Sequence, residues 1–282
     1  MKALKILLLI ILVPIVGLLL YIGWGMWQTS SELAVFKDHV RERSTTPEVS
    51  DAAIETLPEP VKRYFAFTLP DGTDNLPGYA LIKAEGDFRR PLTENFQRTT
   101  AEQILSTTRP DFVFHANTPI LGPIWATAYD SYVNGQMEMQ AKLMSAATVL
   151  HFTNDPQLDK LSLRRWLLEA SSWPPALLPS ERVTWEAIDD NTARALVSEY
   201  GLTASMIAKF DETGALTEML AEEDGDLTTP YHGPGENVLR GDYQMKGKVR
   251  IPMSLVISRA AEGKVYPFWK ATVTAIEFGS GS

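Results

Sequence analysis

The chain has no cysteine, which excludes disulfides, thiolate metal sites and cysteine nucleophiles together. Histidine is scarce. The four residues His39, His115, His151 and His232 lie far apart in sequence, and none has a second histidine at ligand spacing. No G-x-S-x-G elbow, H-E-x-x-H helix, Walker loop or G-x-G-x-x-G fingerprint is present, so the common hydrolase, zinc-peptidase and nucleotide signatures are missing. Basic charge is also short, with 26 Lys and Arg against 35 Asp and Glu and a formal net charge of −9. A surface of that sign repels phosphate backbones and anionic lipid faces, so nucleic acid is not an expected partner. It leaves room for a hydrophobic ligand. No catalytic residue, metal ligand or cofactor is assigned from the sequence.

What the chain does have is one long uncharged run. The span is read as Leu4 to Trp27; after Lys5, Ile6 to Trp27 gives 22 residues without a charge, more than the roughly 20 that cross a bilayer core and longer than a signal-peptide core. A removable signal is the alternative, but no A-x-A pattern follows in WGMWQTSSELA, so an uncleaved anchor is expected. Tyr21, Trp24 and Trp27 cluster at its far end, where amphipathic rings suit the headgroup layer, and Pro14 is compatible with a kinked span. Lys2 and Lys5 precede its uncharged core, so the positive-inside rule predicts a cytoplasmic N-terminus, with everything from Gln28 onward outside.

Beyond the span, residues 28–50 read as a polar stalk, residues 51–278 as one extracytoplasmic domain, and the terminal GSGS, residues 279–282, as a linker remnant. A short helix is expected in LPEPVKRYF, where prolines suit the first turn and Val61, Tyr64 and Phe65 share a face. From Tyr79 the pattern turns to strands. Met137, Met139, Ala141 and Leu143 alternate with Glu138, Gln140 and Lys142, and Asn134-Gly135 just before them is a strong hairpin signal with Ile124 to Val133 as partner. Similar segments at 79–89, 95–107, 111–117, 182–188, 193–200, 204–211, 215–222, 250–259 and 269–278 are joined mostly by tight turns. About ten antiparallel strands are expected, of α+β class, forming a curved sheet or half-barrel. One helix interrupts them: Asp155 can cap it, and Leu163, Trp166, Leu167 and Ala170 fall on one face, covering the sheet.

LPEPVKRYF followed by LPDG, then LLEASSWPPALLPS, VTWEAIDD and KFDETG in that order, resembles a bacterial family of membrane-anchored proteins catalogued as a domain of unknown function, across roughly Leu57 to Phe278. That resemblance implies a bacterial inner membrane with the main domain in the periplasm, and it brings no activity or catalytic residue. More distantly, the expected sheet and helix are similar in architecture to periplasmic half-barrels that carry lipoproteins or lipids, which implies a hydrophobic ligand.

The candidate ligand-binding residues are Phe112, Phe114, Trp125, Met137 and Met139 from the sheet, with Leu163, Trp166 and Leu167 of the helix as a lid. The same side chains are equally what a packed core would use. Glu169 is expected to pair with Arg165 on the helix surface, at i, i+4. Asp189 and Asp190 read as hairpin-turn residues rather than a catalytic pair. Glu222, Glu223, Asp224 and Asp226 lack calcium-loop spacing and read as a solvated tip. The leading expectation is a non-catalytic, membrane-tethered binder of a lipid or lipoprotein acyl chain. The alternatives are an accessory subunit of a larger membrane complex, or a hydrolase using His232 with Glu236 or Glu169.

Overall fold

The computed structural model describes residues 2–89, 93–227 and 234–281. Thirteen strands form one antiparallel sheet: β1 (Tyr79–Phe88), β2 (Gln97–Ser106), β3 (Phe112–Leu121), β4 (Ile124–Val133), β5 (Gln136–Leu143), β6 (Ala147–Thr153), β7 (Val183–Asp189), β8 (Thr192–Glu199), β9 (Leu202–Phe210), β10 (Leu216–Leu220), β11 (Glu236–Lys246), β12 (Val249–Ala261) and β13 (Lys264–Gly279). Their order is β6-β5-β4-β3-β2-β1-β13-β12-β11-β10-β9-β8-β7. The chain therefore builds outward from β1 to one edge, crosses to the opposite edge, and returns so that β13 closes on β1. Two strands beyond the expected set, β6 and β11, complete it.

The crossing dictates where the helix lies. Helix α4, our label for Pro156–Ala170 after α1 (Lys2–Arg43), α2 (Asp51–Glu55) and α3 (Glu59–Thr68), must pass over the concave face to connect β6 with β7. Asp155 caps it as expected, its carboxylate accepting from the Gln157 and Leu158 amides. Leu163, Trp166, Leu167 and Ala170 are buried with Tyr64 and Phe65 of α3 against Phe112, Tyr132, Met137, Met206 and Phe210 of the sheet. The corner after α4 is a single 3-10 turn, Pro174–Leu177. Trp173 and Trp185 flank it, their indoles donating to Thr107 Oγ1 (2.9 Å) and the Leu177 carbonyl (3.0 Å). The far end of the half-barrel is drawn together around Asp111. Its carboxylate accepts from Arg43 (2.8 Å), the Tyr200 hydroxyl (3.2 Å) and the Asn134 amide (3.2 Å).

The residues read as a stalk are helical as far as Arg43, in one unbroken helix that runs on from the uncharged span through Pro14. Ile22, Gly25, Thr29, Leu33 and Val40 are buried along one stripe of it, spaced as a helix face requires. This stripe lies on the convex side, where Leu33 and Val40 meet Leu81, Ile104, Val113 and Tyr129. Ion pairs flank the contact: Lys142 with Glu32 at 2.7 Å, and Lys37 with Glu102. Gly279 pairs with Tyr79 at the end of β13, so at least this residue of the terminal GSGS is part of the sheet.

Two outcomes are expected for the full chain in detergent micelles. Leu167→Ala should cost about 2–5 kcal/mol in denaturant unfolding because a fully buried side chain leaves a void, whereas Leu239→Ala, 45% exposed in the native protein, should change little. His115 lies under α1; burial first and the Lys37 charge second pull its pKa to about 4 from the ordinary 6.5, with Glu102 opposing. Between those values the unfolded chain binds a proton that the folded chain refuses, so stability falls as pH falls from 6.5 to 4. His115→Gln should flatten that part of the thermal-midpoint profile; a profile identical to wild type would remove His115 as a cause.

Candidate functional site

Side-chain size falls along the concave face of β2 to β5, with β1 beside them. Cross-strand register puts Ala80, Leu105, Phe112, Tyr132 and Met137 in one row at the end covered by α4. Two residues further along each strand, Ile82, Gln103, Phe114, Asp130 and Met139 form the next row. The third row is alanine throughout: Ala84, Ala101, Ala116, Ala128 and Ala141 are in register across five strands. Since alternate residues share a face, three consecutive rows of one face pass from large to small.

Ala84 and Ala101 are buried with Trp269 and Ala271, whereas a cavity of about 470 Å³ lies over the β3 to β5 part of this row, a volume within the range of small-molecule sites. Its floor includes Ala116, Ala128 and Ala141; its walls come from Phe114, Met139, Leu150, Ile257 and Trp269, with Leu168 of α4 above. At its inner end a buried polar group faces it. Arg165 donates to Asp130 Oδ2 at 2.6 Å and to Glu169 Oε1 at 3.2 Å. Its guanidinium carbon is 5.3 Å from the ring centroids of both Phe112 and Phe114, a cation-π arrangement. Burial alone would lower the Arg165 pKa, but the two carboxylates outweigh it and hold the cation charged. Glu236, also at the wall, approaches Arg164 to 2.7 Å. Burial pushes its carboxyl pKa up against that attraction.

The expected ligand residues divide into three groups. Phe114 and Met139 line the cavity. Phe112, Met137, Leu163, Trp166 and Leu167 belong to the packed half of the interior, buried against one another. Trp125 lies on the convex side, its indole donating to Thr127 and Ser145 beside α1. The helix does cover the cavity, but with Arg165, Leu168 and Glu169, the residues next to the expected stripe. Arg165 and Glu169 pair as the spacing predicts; the pair is buried rather than on the surface, with Glu169 only 4% exposed. The visible signal for the cavity was the alanine at matching positions of successive strands. Arg165 is named in the sequence for its pairing and Glu236 as a hydrolase candidate, but nothing there signals that they line a cavity, because their burial depends on the crossing of α4.

The remaining candidates fall elsewhere. His232 and its neighbour Tyr231 lie outside the described residues, while Glu169 and Glu236 both line the cavity. Asp189 accepts from the Asn191 amide at 2.9 Å in the β7–β8 turn, and that hydrogen bond holds its carboxyl below the usual range. Glu222 pairs with Arg194 at 3.0 Å and Asp224 accepts from the Gly263 amide at 2.7 Å. Among the described residues, no group of three His, Cys, Asp or Glu side chains could hold a metal ion.

No curated protein matches the chain. Among solved structures, a LolA superfamily protein from Nitrosomonas europaea is similar at 8% identity and a TM-score of 0.41, covering 82% of this chain and 94% of the other. A DUF1329 family protein from Desulfovibrio piger is similar at 7% identity and a TM-score of 0.39, covering 79% and 95%. At those scores nothing about a ligand or a site transfers to this chain. The sequence similarity is decisive at another level: residues 55–278 match the model of a family of unknown function, DUF6920, and the chain belongs to that family.

Proposed function

We propose that the protein is a membrane-tethered envelope protein that holds a hydrophobic ligand, a lipid or lipoprotein acyl chain, by shape and apolar contact without covalent chemistry. Ala116, Ala128 and Ala141 carry this reading. The same sheet face packs densely two rows away, so the opening is built by small side chains at specific register positions rather than by loose packing. The lining is mostly apolar, and each methylene buried there would contribute about 0.8 kcal/mol. A chain of several methylenes would therefore bind usefully without a catalytic group. The buried polar group at the inner end gives an amphipathic ligand one polar anchor in an otherwise apolar wall. Tethering rests on α1, among the described residues the one helix long and apolar enough to cross a membrane. In this reading Lys2 and Lys5 stay in the cytoplasm and the sheet lies in the periplasm.

The full chain in lipid nanodiscs, titrated with a dansyl-labelled fatty acid, should show saturable, blue-shifted emission. Ala128→Phe fills part of the cavity and should weaken binding more than about tenfold, the equivalent of a few lost methylenes, while leaving the thermal midpoint unchanged or higher. Equal binding by the filled variant, or no saturable binding by the native chain, would refute the proposal.

A further inference from the structure

The end of the sheet that holds the cavity is also the end from which α1 leaves. The described side chains from Lys5 to Tyr21 are all exposed, and the helix meets the sheet from Tyr21 onward. At 1.5 Å per residue the free part is about 25 Å long, close to the roughly 30 Å of a hydrocarbon core. The first contacts are with the turn between β5 and β6. The Tyr21 hydroxyl donates to the Ala146 carbonyl at 3.2 Å, the Thr29 hydroxyl to the Ser145 carbonyl at 2.9 Å, and a side chain at Gly25 would collide with Ala146. Trp24 and Trp27, exposed on the same stretch, set the level of the headgroup layer here. The uncharged run continues to Trp27, so the span and the β5–β6 turn overlap in height.

Beside that turn stands the β3–β4 hairpin, whose tip is apolar. Leu121 is 74% exposed and Ile120 45%, and Val149 of the edge strand β6 is 67% exposed. Strand pairing joins these segments at one end of the sheet: Leu121 opposes Ile124, Ala126 opposes Leu143, and Leu143 opposes Ala147. Ile120, Leu143 and Val149 also line the cavity. The lining thus passes from the buried Met139 and Glu169 at the inner end to exposed aliphatic side chains at the outer one. Clustered exposed apolar side chains of this kind mark an interaction surface, and the emergence of α1 beside them identifies its occupant.

We propose that the cavity mouth opens onto the bilayer itself: the β3–β4 tip and β6 form an apolar lip seated in the headgroup layer of the leaflet from which α1 emerges. A lipid chain then moves between leaflet and cavity along Val149, Leu143 and Ile120 without crossing bulk water. The proposal rests on the tethered-binder reading and adds where its ligand enters.

The absence of cysteine makes the test direct. Leu121→Cys, Val149→Cys and, as a control at the opposite end of the sheet, Met245→Cys each give a single site for an NBD label on the full chain in phosphatidylcholine vesicles. All three positions are exposed, so the fold should tolerate the label. A nitroxide carried near the lipid headgroup should quench the labels at positions 121 and 149 but not at 245. Iodide on both sides of the bilayer should quench only the label at position 245. Iodide quenching equal at all three, with the lipid nitroxide silent, would overturn the proposal, as would failure of the chain to co-float with the vesicles. The measurement uses no ligand. A chain that binds the dansyl fatty acid yet keeps its lip in water loses this inference alone, and a chain with its lip in the bilayer but no fatty-acid binding loses the ligand reading alone.

Discussion

A sheet of thirteen strands has more concave face than one crossing helix can cover, and that constraint shapes the rest of the molecule. With both edges far apart, the chain passes from β6 to β7 once, through α4, and the apolar mass of α4, α3 and the Pro174–Leu177 turn fills one part of the concavity. The part left over has two solutions: large side chains from the sheet, or a guest. Strands β3 to β5 take neither Leu nor Phe there but alanine, in register, while Ala84 and Ala101 of the same row are covered by Trp269. Large residues two positions away show that the sheet accepts bulk where a helix meets it.

Arg165 stands at the boundary between the two halves. Its guanidinium lies over Phe112, which belongs to the packed side, and over Phe114, which faces the open one. A charge so deep is tolerated because Asp130 and Glu169 supply the opposite sign at hydrogen-bond distance. Removing either carboxylate would leave an imbalance in a poorly hydrated place, which is costlier than any surface pair. The group therefore acts as a fixed polar floor to an apolar chamber.

Much of this was legible in the sequence. Strict alternation places β5, Asn134-Gly135 places β4 as its hairpin partner and adopts the left-handed backbone that turn needs, and Asp155 with Pro156 starts α4. Where the sequence was silent, the reason is physical. β6 is an edge strand with both faces largely exposed, so ATVLHFT carries no alternation to read. The turn before it uses Met144 and Ser145 at positive φ, where glycine or asparagine would have been the signal. The stripe Leu33, Phe36, Val40 was visible at helical spacing, but the polar residues around it suggest a spacer when the partner surface is unknown. Periodicity reports that a face is apolar and does not say what meets it. For that reason Phe112, Met137 and Trp166 could not be told from Phe114 and Met139 before the crossing of α4 was seen.

The continuity of α1 has a mechanical meaning. A helix that runs without a joint from the uncharged segment to Arg43, and is strapped down by the Glu32–Lys142, Lys37–Glu102 and Arg43–Asp111 pairs, is built as a mast rather than a leash. In the tethered reading proposed above, the body it carries cannot roam the space beyond the membrane or ferry cargo across it, and any exchange with a second protein would take place at the height the mast sets.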